Sequence, residues 1–202
     1  MANHLETREA AYKEAISSGR LKMLMVFLVC ASPVVASYVS YYFLKPDGRT
    51  NYGSLVEVKP VSATPLALLN GRAFSMSELK GKWVLATIDG GACAEACIKK
   101  LYGMRQVRLT QGKDKDRVER AWLISDDEAL STTTIREYDG TRMLRAKNSP
   151  LLKEFPAPGG RVEDHIFLID PLGNLVLRFP KDAEPARIQK DLSRLLKYSR
   201  IG

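Results

Sequence analysis

Cys93 and Cys97 are separated by Ala94-Glu95-Ala96 and follow the loop Asp89-Gly90-Gly91-Ala92. Cysteines four apart share one helix face, with Cβ atoms about 5–6 Å from each other. Such a pair can close reversibly into a disulfide or, as thiolates, grip a soft monovalent copper ion. The sequence puts them at the start of a helical segment, where the partial positive charge of the helix N-terminus lowers a thiol pKa. Ahead of them Trp83-Val84-Leu85-Ala86-Thr87-Ile88 reads as a strand buried on both faces. The pair is therefore expected at the carboxyl end of a strand, the crevice where open α/β sheets bind ligands. The plain alternative is a static disulfide, or two cysteines that merely pack.

His165 is the second residue with chemical promise. It immediately precedes the apolar run Ile166-Phe167-Leu168-Ile169. If that strand neighbours the one ending near Cys93, the imidazole can approach the thiols, and two sulfurs with one nitrogen make a sensible copper set. Glu163 or Asp164 would then orient the ring. Zinc fits less well, because a structural zinc site wants four ligands and only three good ones are on offer.

The elements that must position these residues are legible in outline. Leu66–Leu69, Asn70-Gly71 and Arg72–Phe74 read as a hairpin, and Ser75 as the cap of a short helical turn through Leu79. Leu101, Met104 and Val107 give the segment after Cys97 an apolar face. Ala121–Ile124 is a second buried strand, Asp126–Tyr138 an irregular helix and Arg142–Ala146 a short strand. Asp170-Pro171-Leu172-Gly173-Asn174 turns the strand after His165 into Leu175–Phe179, and Ala183–Tyr198 closes the chain as a helix. The order predicts an α/β fold with a central mixed sheet flanked by helices.

Length and charge set the context. The chain has 202 residues and a formal net charge of +8. Its composition is that of a globular protein, neither disordered nor fibrous. Met23–Leu44 carries no charge over 22 residues and ends in the aromatic cluster Tyr38, Tyr41, Tyr42 and Phe43. About 20 apolar residues cross a bilayer core, and rings favour its headgroup layer. Glu6, Glu9 and Glu14 ahead of the run argue for a retained anchor over a cleaved signal peptide. The expected organisation is a cytoplasmic segment 1–22, a transmembrane helix 23–44, a linker 45–64 rich in Pro, Ser, Gly and Thr, and a soluble domain 65–202. Four basic residues before the span against three after it weakly favour the N-terminus inside. The soluble domain would then face the periplasm from the inner membrane, where thiols oxidise. Nucleic acid is not an expected partner of such an anchored domain.

Asn70-Gly71-Arg72-Ala73-Phe74-Ser75-Met76-Ser77-Glu78-Leu79-Lys80-Gly81-Lys82-Trp83, the C-x-x-x-C pair, and Asp164-His165 followed by Asp170-Pro171-Leu172-Gly173 resemble, in that order, the Sco proteins. These are thioredoxin-like, copper-binding assembly factors of cytochrome c oxidase. The resemblance spans roughly residues 60–198. It implies a thioredoxin-like fold, Cys93, Cys97 and His165 as copper ligands, and an oxidase subunit or another assembly factor as partner. Two positions depart from the family pattern. Ala94 stands where Sco proteins usually have proline, and His165 lies closer to the Asp-Pro turn than their histidine does. The expected function is delivery of copper to a respiratory oxidase. The alternative on the same residues is a thiol–disulfide oxidoreductase, with Cys93 attacking and Cys97 resolving, acting on cysteines of an oxidase copper site or of another extracytoplasmic partner. A third is a scaffold in which the cysteines are incidental.

Overall fold

The computed structural model describes residues 3–43 and 51–201. The chain divides into two compact units, residues 1–49 and 50–202. In the first, helix α1 (Asn3–Phe43) runs unbroken through Pro33. Within it Gly19–Tyr42 has a mean hydropathy of 2.0 and is long and apolar enough to cross a membrane. Its apolar side chains, Met23, Phe27 and Val34 among them, are exposed, as is the free Cys30. Tyr38 stacks on Tyr42 at 6.0 Å near the end of this segment. Leu44, the last residue of the expected span, lies outside the described residues.

The second unit is built on one eight-stranded sheet. Its strands are β1 (Ser54–Pro60), β2 (Leu66–Leu68), β3 (Ala73–Phe74), β4 (Trp83–Asp89), β5 (Val118–Ile124), β6 (Arg142–Arg145), β7 (Ile166–Ile169) and β8 (Asn174–Arg178). They lie in the order β1-β8-β7-β4-β5-β6-β2-β3. β4, β5 and β6 are parallel, and every other neighbouring pair is antiparallel, so the sheet is mixed as expected. All seven residues of β4 are buried, which is why that strand reads as a continuous apolar run instead of an alternating one.

Each face of the sheet has its own core. On one, Trp83, Leu85, Trp122, Ile124, Ile166 and Leu168 pack with helices α2 (Glu95–Leu109) and α4 (Pro185–Tyr198) through Leu101, Met104, Ile188 and Leu192. On the other, Val84, Ala86, Ile88, Phe167 and Ile169 are covered by Met76 and Leu79 and by Leu151 and Phe155, from short 3₁₀ turns and their flanks. The alternation of strand side chains assigns each residue to one core or the other.

Three expectations change in detail, and a fourth holds. The stretch expected as a linker contains β1, an edge strand that pairs with β8. Overall Pro, Ser and Gly content hides the short run Leu55-Val56-Glu57-Val58, whose Val56 packs against the second core; residues 45–50 lie outside the described residues. The hairpin closes over Leu69-Asn70-Gly71, three residues instead of two, with Leu68 N–H donating to Arg72 O and Gly71 at φ +79°. Of the helix expected over Asp126–Tyr138, only α3 (Thr132–Glu137) forms. Asp126 instead uses its carboxylate to accept backbone N–H groups of Gly91 and Glu128, which holds 126–131 as a loop. Finally, Ser75 does cap the turn after β3, with Glu78 reaching back to the Ser75 N–H at 2.9 Å.

Candidate redox site

Cys93 and Cys97 form a disulfide, with Cα atoms 5.0 Å apart. The chain leaves β4 at Asp89, passes Gly90 and Gly91, and turns so that Cys93 N–H donates to Gly90 O at 3.2 Å. Cys93 has φ +44°, in the left-handed region that costs a side chain with a Cβ about 1–2 kcal/mol. The pair thus stands just before and within the first turn of α2, as expected. Ala94 is the helix cap, and only Cys97 belongs to the first turn. No side chain caps this helix end, so its first N–H groups and their partial positive charge face the sulfur pair.

Both cysteines belong to the core beneath α2, but unequally: Cys93 is 9% exposed and Cys97 2%. Cys93 is thus the less buried residue of the pair. Two glycines of the loop beneath have close neighbours where a side chain would start. A Cβ on Gly90 would lie 2.3 Å from Asp126 Oδ2, and one on Gly91 would lie 2.3 Å from Glu128 O. The two glycines let the 126–128 loop press against the turn that presents the disulfide.

An unanticipated ion pair lies at the same end of β4. Asp89, expected in a loop, is the last residue of the strand, and its Oδ2 meets Lys100 Nζ of α2 at 2.6 Å. Both side chains are nearly buried. Lys100 also donates to Glu163 O, in the turn before His165, and Thr87 Oγ1 lies 3.3 Å from Asp89 Oδ2 and 3.4 Å from His165 O. Burial raises the Asp89 carboxyl pKa above its ordinary value, although Lys100 and Thr87 pull it down. A carboxylate closing an apolar strand, followed eleven residues later by a lysine on the helix above, was the available clue.

His165 reaches the same end of the sheet but not the sulfurs. In the β4–β7 register Thr87 lies opposite Ile166, which sets residue 165 opposite Ile88. Ile166 joins the core of the cysteines, whereas Phe167 and Ile88 join the other. His165 is extended, with φ −120° and ψ 154°, so the alternation carries its side chain to the second face. Its ring there meets Phe167 edge-on at 6.1 Å. Its Nδ1 donates to Phe179 O at 2.8 Å, and its Nε2 lies 3.9 Å from where a Cβ on Gly160 would sit. Glu163 and Asp164 do not orient the ring; they pair with Arg161 and Lys181, both at 3.4 Å. Among the described residues no three His, Cys, Asp or Glu side chains gather as a metal-ligand set. The structure brings Cys93 and Cys97 together and leaves His165 apart.

Known structures share this architecture. A SCO1/SenC family lipoprotein from Bacillus anthracis superposes with a TM-score of 0.54 at 16% identity, over 71% of this chain and 99% of that one. Yeast Sco1 with copper bound gives 0.54 at 17% identity, over 70% and 96%. Bradyrhizobium japonicum ScoI with copper bound gives 0.50 at 23% identity, over 69% and 99%. At these identities the likeness is one of fold. No curated protein matches the sequence. Residues 83–199, from the first residue of β4 to just beyond α4, match the family described as "Transmembrane-like, thioredoxin-like, C-terminal domain". With more than half of its length matched, a thioredoxin-like sheet and a cysteine pair at the β4–α2 junction, the chain belongs to that transmembrane-like, thioredoxin-like family.

Proposed function

We propose that this protein is a membrane-anchored thiol–disulfide exchange protein whose domain works outside the cytoplasm. The observation that carries the reading is the Cys93–Cys97 disulfide at an uncapped helix N-terminus, with Cys93 the less buried of the two. In the reduced protein the helix end favours a thiolate at Cys93. That thiolate attacks one sulfur of a partner disulfide and forms a mixed disulfide, and the partner's other sulfur leaves as a thiolate. The Cys97 thiolate then attacks Cys93 Sγ, closes the Cys93–Cys97 bond and releases the second partner sulfur. Two electrons pass from this chain to the partner, which takes up the two protons. The partner is a membrane protein with a vicinal cysteine pair, and the cysteines of an oxidase copper site are the first candidate. The anchor supports this setting, because Gly19–Tyr42 is long and apolar enough to hold the domain at a bilayer.

A second reading, delivery of copper to cytochrome c oxidase, draws on one further observation. The fold is shared with proteins whose structures are described as copper-bound. Once reduced, Cys93 and Cys97 would offer two adjacent thiolates, a donor set suited to Cu(I) as cargo. His165 would join them only after leaving its bond to Phe179 O.

Trapping separates the readings. Cys97→Ser removes the resolving thiol, so exchange predicts a Cys93-linked mixed disulfide with an oxidised dithiol partner peptide, visible by non-reducing electrophoresis and mass spectrometry. If no adduct forms and the reduced wild type still binds Cu(I) more tightly than the Cys93→Ser/Cys97→Ser variant in a chelator competition, copper delivery replaces exchange. Neither result would leave the cysteines structural.

A further inference from the structure

Toward the opposite end of α2 from the cysteines lie three arginines whose side chains are held mainly by main-chain carbonyls. Arg120 of β5 shares its face with Val118 and Trp122, on the α2 side of the sheet, and is only 5% exposed. It donates from Nη2 to Asp139 O at 2.8 Å, while its Nε and Nη1 are buried with no hydrogen-bond partner. Gly140, at φ +76°, lets the chain pass close to this group: a Cβ there would lie 3.3 Å from Arg120 Nη2. Arg105 and Arg108 come down from α2. Arg105 donates to Glu137 O at 3.1 Å and Arg108 to Val118 O at 2.7 Å, so both are held largely by main-chain carbonyls. Among the described residues the carboxylate within ion-pair distance of these arginines is that of Asp116, 3.4 Å from Arg108 and well exposed.

A guanidinium does not shed its proton at working pH, so Arg120 remains a buried cation with two idle donors whose lost hydration nothing repays. Burial is the main unfavourable influence on its charge, and the nearby Arg108 and Arg105 act on it more strongly than Glu119 and Asp139 do in the opposite sense. Attraction of cations to a helix C-terminus accounts for Arg105 and Arg108, but not for the burial of Arg120.

We propose that Arg105, Arg108 and Arg120 form a binding site for a phosphate group, borne by a soluble phosphate or by a lipid headgroup. Arg120 makes no ion pair among the described residues, so an anion reaching its idle donors would gain a charge-assisted partner that the chain itself does not supply. Phosphate oxygens suit the fork-like donors that carbonyls fill only in part. Arg105 and Arg108 are half-buried and Arg120 is buried, so a phosphate would meet the two helix arginines first and Arg120 last.

The test uses the full chain in an uncharged, phosphate-free detergent. Inorganic phosphate is expected to raise the melting temperature saturably, beyond chloride at equal ionic strength, and to show a broadened phosphorus resonance in the presence of the protein. Arg105→Ala/Arg108→Ala, which leaves buried Arg120 intact, is expected to weaken phosphate binding at least about tenfold. Arg120→Gln serves as a further arm if it folds. Vesicles of phosphatidylglycerol, but not of phosphatidylcholine, competing with inorganic phosphate would identify a headgroup as the ligand; no competition, with saturable phosphate binding, would identify a soluble one. Identical melting in phosphate and matched chloride, or an unchanged phosphate response in the double variant, would overturn the proposal.

Discussion

Two side chains meet the carboxyl end of β4 from opposite faces of one sheet. On the α2 face lies the Cys93–Cys97 disulfide, set in a glycine-lined turn at an uncapped helix end. On the other lies His165, tied to Phe179 O and edge-on to Phe167. Along the strand the two are level, because the register that pairs Thr87 with Ile166 brings residue 165 up to Ile88. Across the sheet they are separated by a layer of backbone. Nearness in register therefore does not make a ligand set. The parity of a residue in its strand decides which core it enters, and a shift of one position would have put an imidazole where Ile166 packs beside the sulfurs.

The largest expected effect tests the α2 face directly. Cys93→Ser should lower thiol–disulfide exchange by about a hundredfold or more, since it removes the attacking sulfur outright. Stopped-flow measurement with a dithiol substrate reads it. Residual exchange within a few-fold of wild type would mean that buried Cys97 reaches substrate by itself, and the distinction of roles between the two sulfurs would fail.

The turn beneath the disulfide comes next. Gly91→Ala forces a Cβ against Glu128 O, which is backbone and cannot swing aside, so a loss of about 1–3 kcal/mol is expected in denaturant unfolding. Gly103→Ala, whose Cβ would meet only Pro185 at 3.4 Å from within α2, should stay within about 1 kcal/mol of wild type. Equal losses at both positions would show that the pressed loop has no special part in presenting the cysteines.

How much of this could be read beforehand follows the range of each signal. β4, the hairpin, the Ser75 cap and the cysteine spacing are local patterns, and they appear in the structure nearly where the sequence put them. β1 was missed because its only partner, β8, lies more than a hundred residues away, and an edge strand need not be apolar. The residues 126–131 looked helical because nothing nearby reveals that Asp126 is engaged by Gly91. His165 was expected near the cysteines only if its strand neighboured theirs; the strands are neighbours, but the ring packs against Phe167 of the other core. Its face depends on the first residue of β7, a boundary that propensity does not fix to within one residue. The Asp89–Lys100 pair joins a strand end to a helix and left no periodic trace.

That pair supports a smaller prediction, in the pH dependence of stability. Burial raises the Asp89 pKa in the folded state above its unfolded value, despite Lys100. Between those two values the native protein binds the extra proton, so this group's contribution to stability grows as pH falls and saturates below the unfolded pKa. Asp89→Asn removes that titration. The stability of wild type relative to Asp89→Asn should therefore move in wild type's favour as pH is lowered from neutrality into the carboxylate range, in denaturant titrations at several pH values. Movement the other way would mean that Lys100 outweighs burial and holds the carboxylate charged.

The smallest effect is the one that most sharpens the contrast between the faces. His165→Ala deletes an imidazole that lies on the far side of β7 from the sulfurs and whose one hydrogen bond is to a main-chain carbonyl. Exchange should stay within about twofold of wild type, because no interaction with the reacting sulfurs is removed. Stability should fall by about 1–2 kcal/mol, from the lost bond to Phe179 O and the lost contact with Phe167. The reduced protein's affinity for Cu(I), measured against a chelator, should likewise change less than about tenfold, since two thiolates supply the soft donors. A copper affinity that collapses while exchange persists would show that reduction of the disulfide lets His165 turn to the α2 face. The separation of the two regions would then belong to the oxidised protein alone.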